Sequence, residues 1–405
     1  MQVLWGIFGI LTVLGIAFVF SSHKSKLNFR TILGGLGIQL IFAFLVLKTD
    51  FGQTALKGFT KVVNQIIGYS DAGAKFLFGG LYGEETNIFF VFAFDILPVV
   101  IFFSSLISVL YYLRIMQVFI KVIGGFLSWL LGTRKAESMS AAANIFVGQT
   151  EAPLVVRPYL NKMTESELFA VMTGGLASVA GSVLIGYSLL GVPLEFLLAA
   201  SFMAAPAGLV LAKIFVPETD ETPEPKEFEM EVDKDSTNVI DAAAKGASVG
   251  LSLALNIGAM LLAFIALVAL LNGILEFLGG LVGFENLSLE LILGYVFAPL
   301  AFAIGVPWEE AVQAGNFIGQ KIIINEFVAY SSFTEVLDTL TPKTVAIVSF
   351  ALCGFANLSS LGILLGGLGN LAPERRSDIA RLGLRAILAG ALASLLSAAI
   401  AGMLI

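Results

Sequence analysis

Apolar residues follow one another in long stretches along most of this chain, and polar residues gather in short breaks between them. Runs of roughly 20 apolar positions cover 3–20, 31–47, 87–113, 168–190, 194–215, 247–275, 344–368 and 380–405, each long enough to cross a hydrocarbon core about 30 Å thick. The pattern predicts an all-α polytopic membrane protein with eight transmembrane helices. Segment 51–81, with Lys57, Lys61 and Lys75, instead reads as an amphipathic helix lying in the membrane interface. Segments 115–131 and 287–304 are apolar but also look interfacial.

Two further segments are too polar to span. Segment 136–164 holds Glu137, Asn144, Gln149, Glu151, Arg157 and Asn161, and Pro153 and Pro158 break any continuous helix. It reads as two short helices meeting near Gly148. Segment 308–335 is its counterpart, turning near Asn325 and Glu326. Irregular backbone is tolerated at membrane depth only where protein buries it or it lines a watery cavity. Both are therefore expected to be re-entrant hairpins, one entering from each side.

Each hairpin precedes a span with a small, hydroxyl-rich centre: Gly175-Leu176-Ala177-Ser178-Val179-Ala180-Gly181 and Gly354-Phe355-Ala356-Asn357-Leu358-Ser359-Ser360. The order of long span, interfacial helix, hairpin, interrupted span and final span thus occurs twice. An odd number of crossings separates the two interrupted spans, which makes the repeat an inverted one. Inverted repeats with interrupted helices are the architecture of secondary transporters, with the site near the midplane. The boundaries follow: 1–113 scaffold helices and interfacial segment, 114–216 first transport repeat, 217–240 acidic cytoplasmic linker, 241–283 scaffold helix, 284–405 second transport repeat. Small residues also serve close helix packing, which is the reading kept for Gly34-Gly35-Leu36-Gly37. Ser178, Asn357 and Ser360 gain little from packing alone. A carboxylate among apolar spans costs several kcal/mol unless paired, hydrated or facing a ligand, so Glu151 and Glu326 become candidate site residues.

Composition narrows the class. The 405 residues are 57% hydrophobic and 13% charged, against about 25% charged in soluble domains. The net charge of −7 owes much to the acidic, proline-rich stretch 217–235, so it says little about partners, and no nucleic acid is expected. One cysteine, Cys353, and one histidine, His23, argue against a thiolate or imidazole metal site. No phosphate-cradling Gly-x-x-x-x-Gly-Lys-Ser/Thr stretch exists to use ATP. Short basic clusters, namely His23, Lys24, Lys26 and Arg30, then Arg114, Lys121, Arg134 and Lys135, then Arg375, Arg376, Arg381 and Arg385, mark the cytoplasmic side. They orient a multi-pass protein of the inner (plasma) membrane with both termini outside. Asp95 lies outside both hairpin-and-span units and reads as a structural or interface group.

Gly148-Gln149-Thr150-Glu151-Ala152-Pro153, Asn325-Glu326-Phe327-Val328-Ala329-Tyr330 and Gly354-Phe355-Ala356-Asn357-Leu358-Ser359-Ser360-Leu361-Gly362 resemble the concentrative nucleoside transporter family, and the likeness covers nearly everything from Asn87 onward. The resemblance implies a bacterial homotrimer in the lipid bilayer, with a rigid scaffold and a mobile, elevator-type transport domain. It implies nucleoside symport with sodium or protons, for uridine, cytidine or adenosine class substrates. The first tip, Gly148, Gln149, Thr150 and Glu151, with Val183, would recognise the base. Glu326, Asn357 and Ser360, with Phe355 nearby, would take the ribose. An Asn side chain and a carbonyl at the first tip, with a Ser side chain and a carbonyl from the facing span, would hold sodium (Na+), here Asn144, Val147, Ser178 and Val179. Oxygen ligation by neutral groups suits a hard monovalent ion, so sodium is the expected coupling ion and protons the alternative. An intramembrane enzyme using Glu151 and Glu326 as an acid/base pair is the rival class, and no nucleophile motif supports it.

Overall fold

The computed structural model describes residues 2–81, 91–220, 230, 236–281, 283–284 and 286–405. Most of the acidic stretch 217–235 therefore lies outside the described residues. Within them the chain is helices and connections, with no strand. Helices α1 (Gln2–Val19), α2 (Phe29–Lys48) and the long amphipathic α3 (Asp50–Phe78) open the fold. Short α4 (Phe92–Asp95) leads into α5 (Leu97–Tyr112) and α6 (Ile115–Leu131).

The first hairpin follows. Its rising limb is α7 (Lys135–Ala143), closed at its N-terminus by the Glu137 carboxylate, which accepts from the Arg134 amide at 2.8 Å. Its returning limb is a 3-10 helix, Ala152–Lys162, in which Pro158 lies. The proline spacing that argued against a continuous α-helix thus yields a tighter helix rather than a second α-helix. The interrupted span comes next as α8 (Glu165–Ala177) and α9 (Gly181–Leu189), followed by the final span α10 (Leu194–Phe215).

Helix α11 (Val239–Leu281) has 43 residues, about 65 Å at 1.5 Å per residue and twice a hydrocarbon core. The second copy of the order then runs through α12 (Leu289–Ala303), α13 (Trp308–Ile323), α14 (Glu326–Thr334), α15 (Pro342–Leu352), α16 (Ser360–Gly366), α17 (Leu368–Leu371) and α18 (Arg376–Leu404). The chain bends by 116° between α12 and α13, at a left-handed Gly305 with φ of 114°. The second hairpin is α13 packed on α14, capped where the Asn325 side chain accepts from the Val328 amide at 2.9 Å.

Among the described residues, seven helical stretches are long and apolar enough to cross a membrane. The expected span 344–368 falls on two shorter helices, α15 and α16, and the bent pair that could make an eighth crossing is α12 with α13. At the centre α18 packs on α8, α10 and α15, while α1 lies along α18, α2 along α10, and α5 along α11. Within the glycine-rich part of α2, a methyl at Gly35 would overlap the Val210 side chain, as expected of a packing glycine. The Asp95 carboxylate accepts from the Val91 amide at 2.6 Å and closes the start of α4.

Candidate functional site

Both hairpin tips and both helix breaks converge. The breaks bond each other directly, the Phe355 amide donating to the Ser178 carbonyl at 3.1 Å. The second tip joins the second break, with the Leu358 amide on the Ile322 carbonyl at 3.1 Å. The first tip lies against α8, where a methyl at Gly175 would stand 2.8 Å from the Gln149 Cβ. It also reaches the other repeat, since a methyl at Gly367 would stand 2.7 Å from the Thr150 side chain. Glycine at 175 and 367 is what lets the tip approach both surfaces.

The second tip is built around one carboxylate. Glu326 is 5% exposed, at the first residue of α14, where the helix N-terminus favours negative charge. Tyr187 donates its hydroxyl to Glu326 Oε1 at 3.0 Å, and Asn357 donates its amide to Oε2 at 3.0 Å. Asn357 is itself fixed, because its Oδ1 accepts from the Ser359 hydroxyl at 2.6 Å and from the Ser360 amide at 2.9 Å. The Ser360 hydroxyl is also near Asn357 Oδ1, at 3.1 Å, and bonds the Phe355 carbonyl. An ionised carboxylate offers about four acceptor positions; two are taken, leaving about two for outside hydroxyl donors.

Tyr187 was not anticipated from the sequence. It lies one turn beyond Val183 on the same face of α9, and that spacing was the available signal. It is fully buried, with ring centroids 4.7 Å from Phe327 and 4.5 Å from Tyr330. Val183 is 1% exposed. Lys321, the nearest cation to Glu326 in sequence, does not pair with it: its amine donates to the Ala351 carbonyl at 2.7 Å and to Ser394 at 3.0 Å.

The first tip is finished differently. Gly148 and Gln149 are buried, while Thr150 and Glu151 are half-buried. Glu151 folds back over Gly148, its Oε2 2.6 Å from where a methyl there would be. Among the described residues neither Glu151 nor Glu326 forms an ion pair, so Arg157 and Lys162 do not neutralise Glu151. Gln149 Oε1 and both side-chain polar atoms of Asn144 are buried with no hydrogen-bond partner among the described residues. Asn144 ends α7 and Ser178 ends α8, so two carbonyl-bearing, partially negative helix termini meet here. A methyl at Gly174 would lie 3.2 Å from the Asn144 amide nitrogen, which sets the two ends side by side. The Ser178 hydroxyl donates to the Gly174 carbonyl at 3.1 Å, keeping its lone pairs open. The Val147 and Val179 carbonyls accept no hydrogen bond from the described residues. A neutral, buried oxygen set with unmet valence fits a monovalent cation and offers nothing to a softer metal. Among the described residues no cluster of three or more His, Cys, Asp or Glu could hold a metal.

Residues 196–402 match the family described as Na+ dependent nucleoside transporter C-terminus, residues 8–81 its N-terminal counterpart, and residues 93–193 the family described as nucleoside recognition. The chain belongs to the concentrative nucleoside transporter family. It is 58% identical to the uncharacterized transporter YutK of Bacillus subtilis, over all of both chains. It is 50% identical to the nucleoside permease NupC of Helicobacter pylori, over 99% of this chain and 98% of that one. The fold matches CNTnw in an inward-facing, substrate-bound state with a TM-score of 0.95 at 54% identity, covering 100% of this chain and 98% of that one. It matches a variant of CNTnw in an outward-facing state with a TM-score of 0.94 at 53% identity, over the same shares of the two chains. Concentrative nucleoside transporters are carriers and not enzymes, so Glu151 and Glu326 are not an acid/base pair.

Proposed function

We propose that this chain imports nucleosides across the plasma membrane by symport with sodium, in an elevator-type alternating-access cycle. The observation that carries the reading is Glu326: a buried carboxylate in no ion pair among the described residues, held by two neutral donors, with acceptor capacity left over. That chemistry suits a vicinal diol, which presents two hydroxyl donors, and not an anion. Ribose therefore rests on Glu326, Asn357 and Ser360, with Phe355 beside it. The base lies toward Gln149, Thr150, Glu151 and Val183, where Gln149 offers both a donor and an acceptor edge.

Sodium is held by Asn144, Val147, Ser178 and Val179. Its charge supplies the driving force, since one elementary charge falling through 100 mV is worth about 2.3 kcal/mol. The unmet polar groups of Asn144 and Gln149 belong to one short turn, so an ion that orders the turn also sets the base-binding edge. Ion and nucleoside then tighten each other by the same factor. The protein works as a homotrimer with both termini outside, and the closed site moves with the transport domain against the scaffold.

The test is uptake of labelled uridine into proteoliposomes, with sodium replaced by choline at fixed pH. Uptake should need sodium and survive dissipation of the proton gradient. Uptake indifferent to sodium but abolished with the proton gradient would reassign the coupling ion and leave the nucleoside reading standing. Failure to compete labelled uridine with either unlabelled uridine or adenosine would remove the nucleoside reading itself.

A further inference from the structure

The two repeats hold corresponding polar centres, and one of them contains a cation of its own. In the first repeat the end of α7, the end of α8 and a serine of α10 come together: Asn144, Ser178, and Ser201, whose hydroxyl donates to the Ile145 carbonyl at 2.8 Å. In the second repeat the end of α13, the end of α15 and a serine of α18 do the same. There the members are Lys321, the Ala351 carbonyl and Ser394, whose hydroxyl also donates to the Cys353 carbonyl at 3.3 Å. Lys321 is 1% exposed, and among the described residues it makes no ion pair. Its ammonium bonds one backbone carbonyl and one hydroxyl, the kind of neutral oxygens that Asn144, Val147, Ser178 and Val179 present. The two centres also adjoin, because a methyl at Gly354 would stand 2.6 Å from Ser394 Oγ and 3.0 Å from the Ala177 carbonyl.

A buried, unpaired charge is costly, and packing alone would favour an apolar side chain at 321. What the ammonium supplies is a positive charge at the carbonyl end of α15. We infer that Lys321 is a tethered stand-in for a coupling ion: it fills in the second repeat the cation position that the first repeat leaves to sodium, and so limits the transporter to one exchangeable ion. The inference rests on the sodium reading of the first repeat, and the experiment separates the two.

Lys321→Asn exchanges the ammonium for a shorter, neutral oxygen-bearing group and frees space for an ion. Lys321→Met removes the charge but keeps the stem. The purified transporters are melted in sodium chloride and in choline chloride of equal ionic strength, and uridine uptake is titrated with sodium. The asparagine variant should melt below the parent in choline and recover in sodium by more than the parent does. Its sodium dependence of uptake should steepen, with a Hill coefficient rising from about 1 toward 2. The methionine variant should melt lower in both salts without the added sodium effect.

An asparagine variant that gains no more from sodium than the parent overturns the inference. So does an equal gain in the methionine variant, which would mark a general salt effect. An asparagine variant that is unfolded in both salts while the methionine variant folds also overturns it, since sodium would then not replace the ammonium. The first-repeat reading fails on a different result: parent and Asn144→Ala transporters equally insensitive to sodium.

Discussion

The two hairpins share a plan and differ in their finish. At the second tip Glu326 and Asn357 are held in place by Tyr187, Ser359 and Ser360, and Asn325 Nδ2 is buried without a partner among the described residues. At the first tip Gln149 Oε1 and both polar atoms of Asn144 are buried without a partner among the described residues. An unmet buried polar group costs about 1–3 kcal/mol. The first tip therefore holds more binding capacity in reserve, whereas the Glu326 carboxylate of the second is held by two donors before anything arrives. A carrier needs both: a fixed point that defines the substrate's orientation, and a tip whose order depends on what it holds.

The largest expected effect breaks the fixed side. Glu326→Gln should nearly abolish uridine uptake while monodisperse folding persists, because losing a charged hydrogen-bond partner in a dry site costs about 1.5–3 kcal/mol, roughly a tenfold to hundredfold loss of affinity. Uridine binding at parental strength, read by calorimetry, would take Glu326 out of the site. The matching ligand test is that 2′,3′-dideoxyuridine should bind far more weakly than uridine.

Tyr187→Phe is the next step down. It keeps the aromatic packing on Phe327 and Tyr330 but removes one donor to Glu326, and should weaken uridine by about tenfold. An unchanged affinity would mean that Asn357 alone positions the carboxylate.

On the adaptable side the losses should be conditional. Asn144→Ala and Ser178→Ala should raise the sodium concentration for half-maximal uptake severalfold, yet regain most of the uridine affinity when sodium is saturating. A loss that sodium cannot repair would make the first tip as rigid a support as the second. Smallest in overall size, Gln149→Ala or Thr150→Ala should shift the ratio of adenosine to uridine affinity, since water can partly replace a neutral group. Equal weakening of both nucleosides would argue that these residues shape the tip and not the specificity.

Much of this was legible in the sequence, for local reasons. Length and polarity marked the apolar helices, and polar residues marked the segments 136–164 and 308–335, with Pro153 and Pro158 as a further sign in the first. The breaks at 178–180 and 353–359 coincide with the small, hydroxyl-rich centres. The second limb of the first hairpin escaped, because prolines forbid a regular α-helix without saying that a 3-10 helix replaces it. Tyr187 and Lys321 escaped because each has its partners in another repeat or another helix. The Tyr187 bond to Glu326 crosses 139 positions, and the Lys321 bond to Ser394 crosses 73.

The sequence by itself determined which segments are apolar enough to leave water and which two are not. Tertiary structure alone decided which apolar segments are covered by the rest of the same chain. The most apolar stretch of Glu165–Leu189 is 94% buried and that of Val239–Leu281 only 17%, although both satisfy the same test of length and hydropathy. The physical reason is that lipid tails are as apolar as leucine, so hydrophobicity drives a helix into the membrane without choosing its neighbours. That choice comes from packing, from the close approaches at Gly175 and Gly367, and from hydrogen bonds that join Glu326, Lys321 and Ser178 to partners distant in the chain.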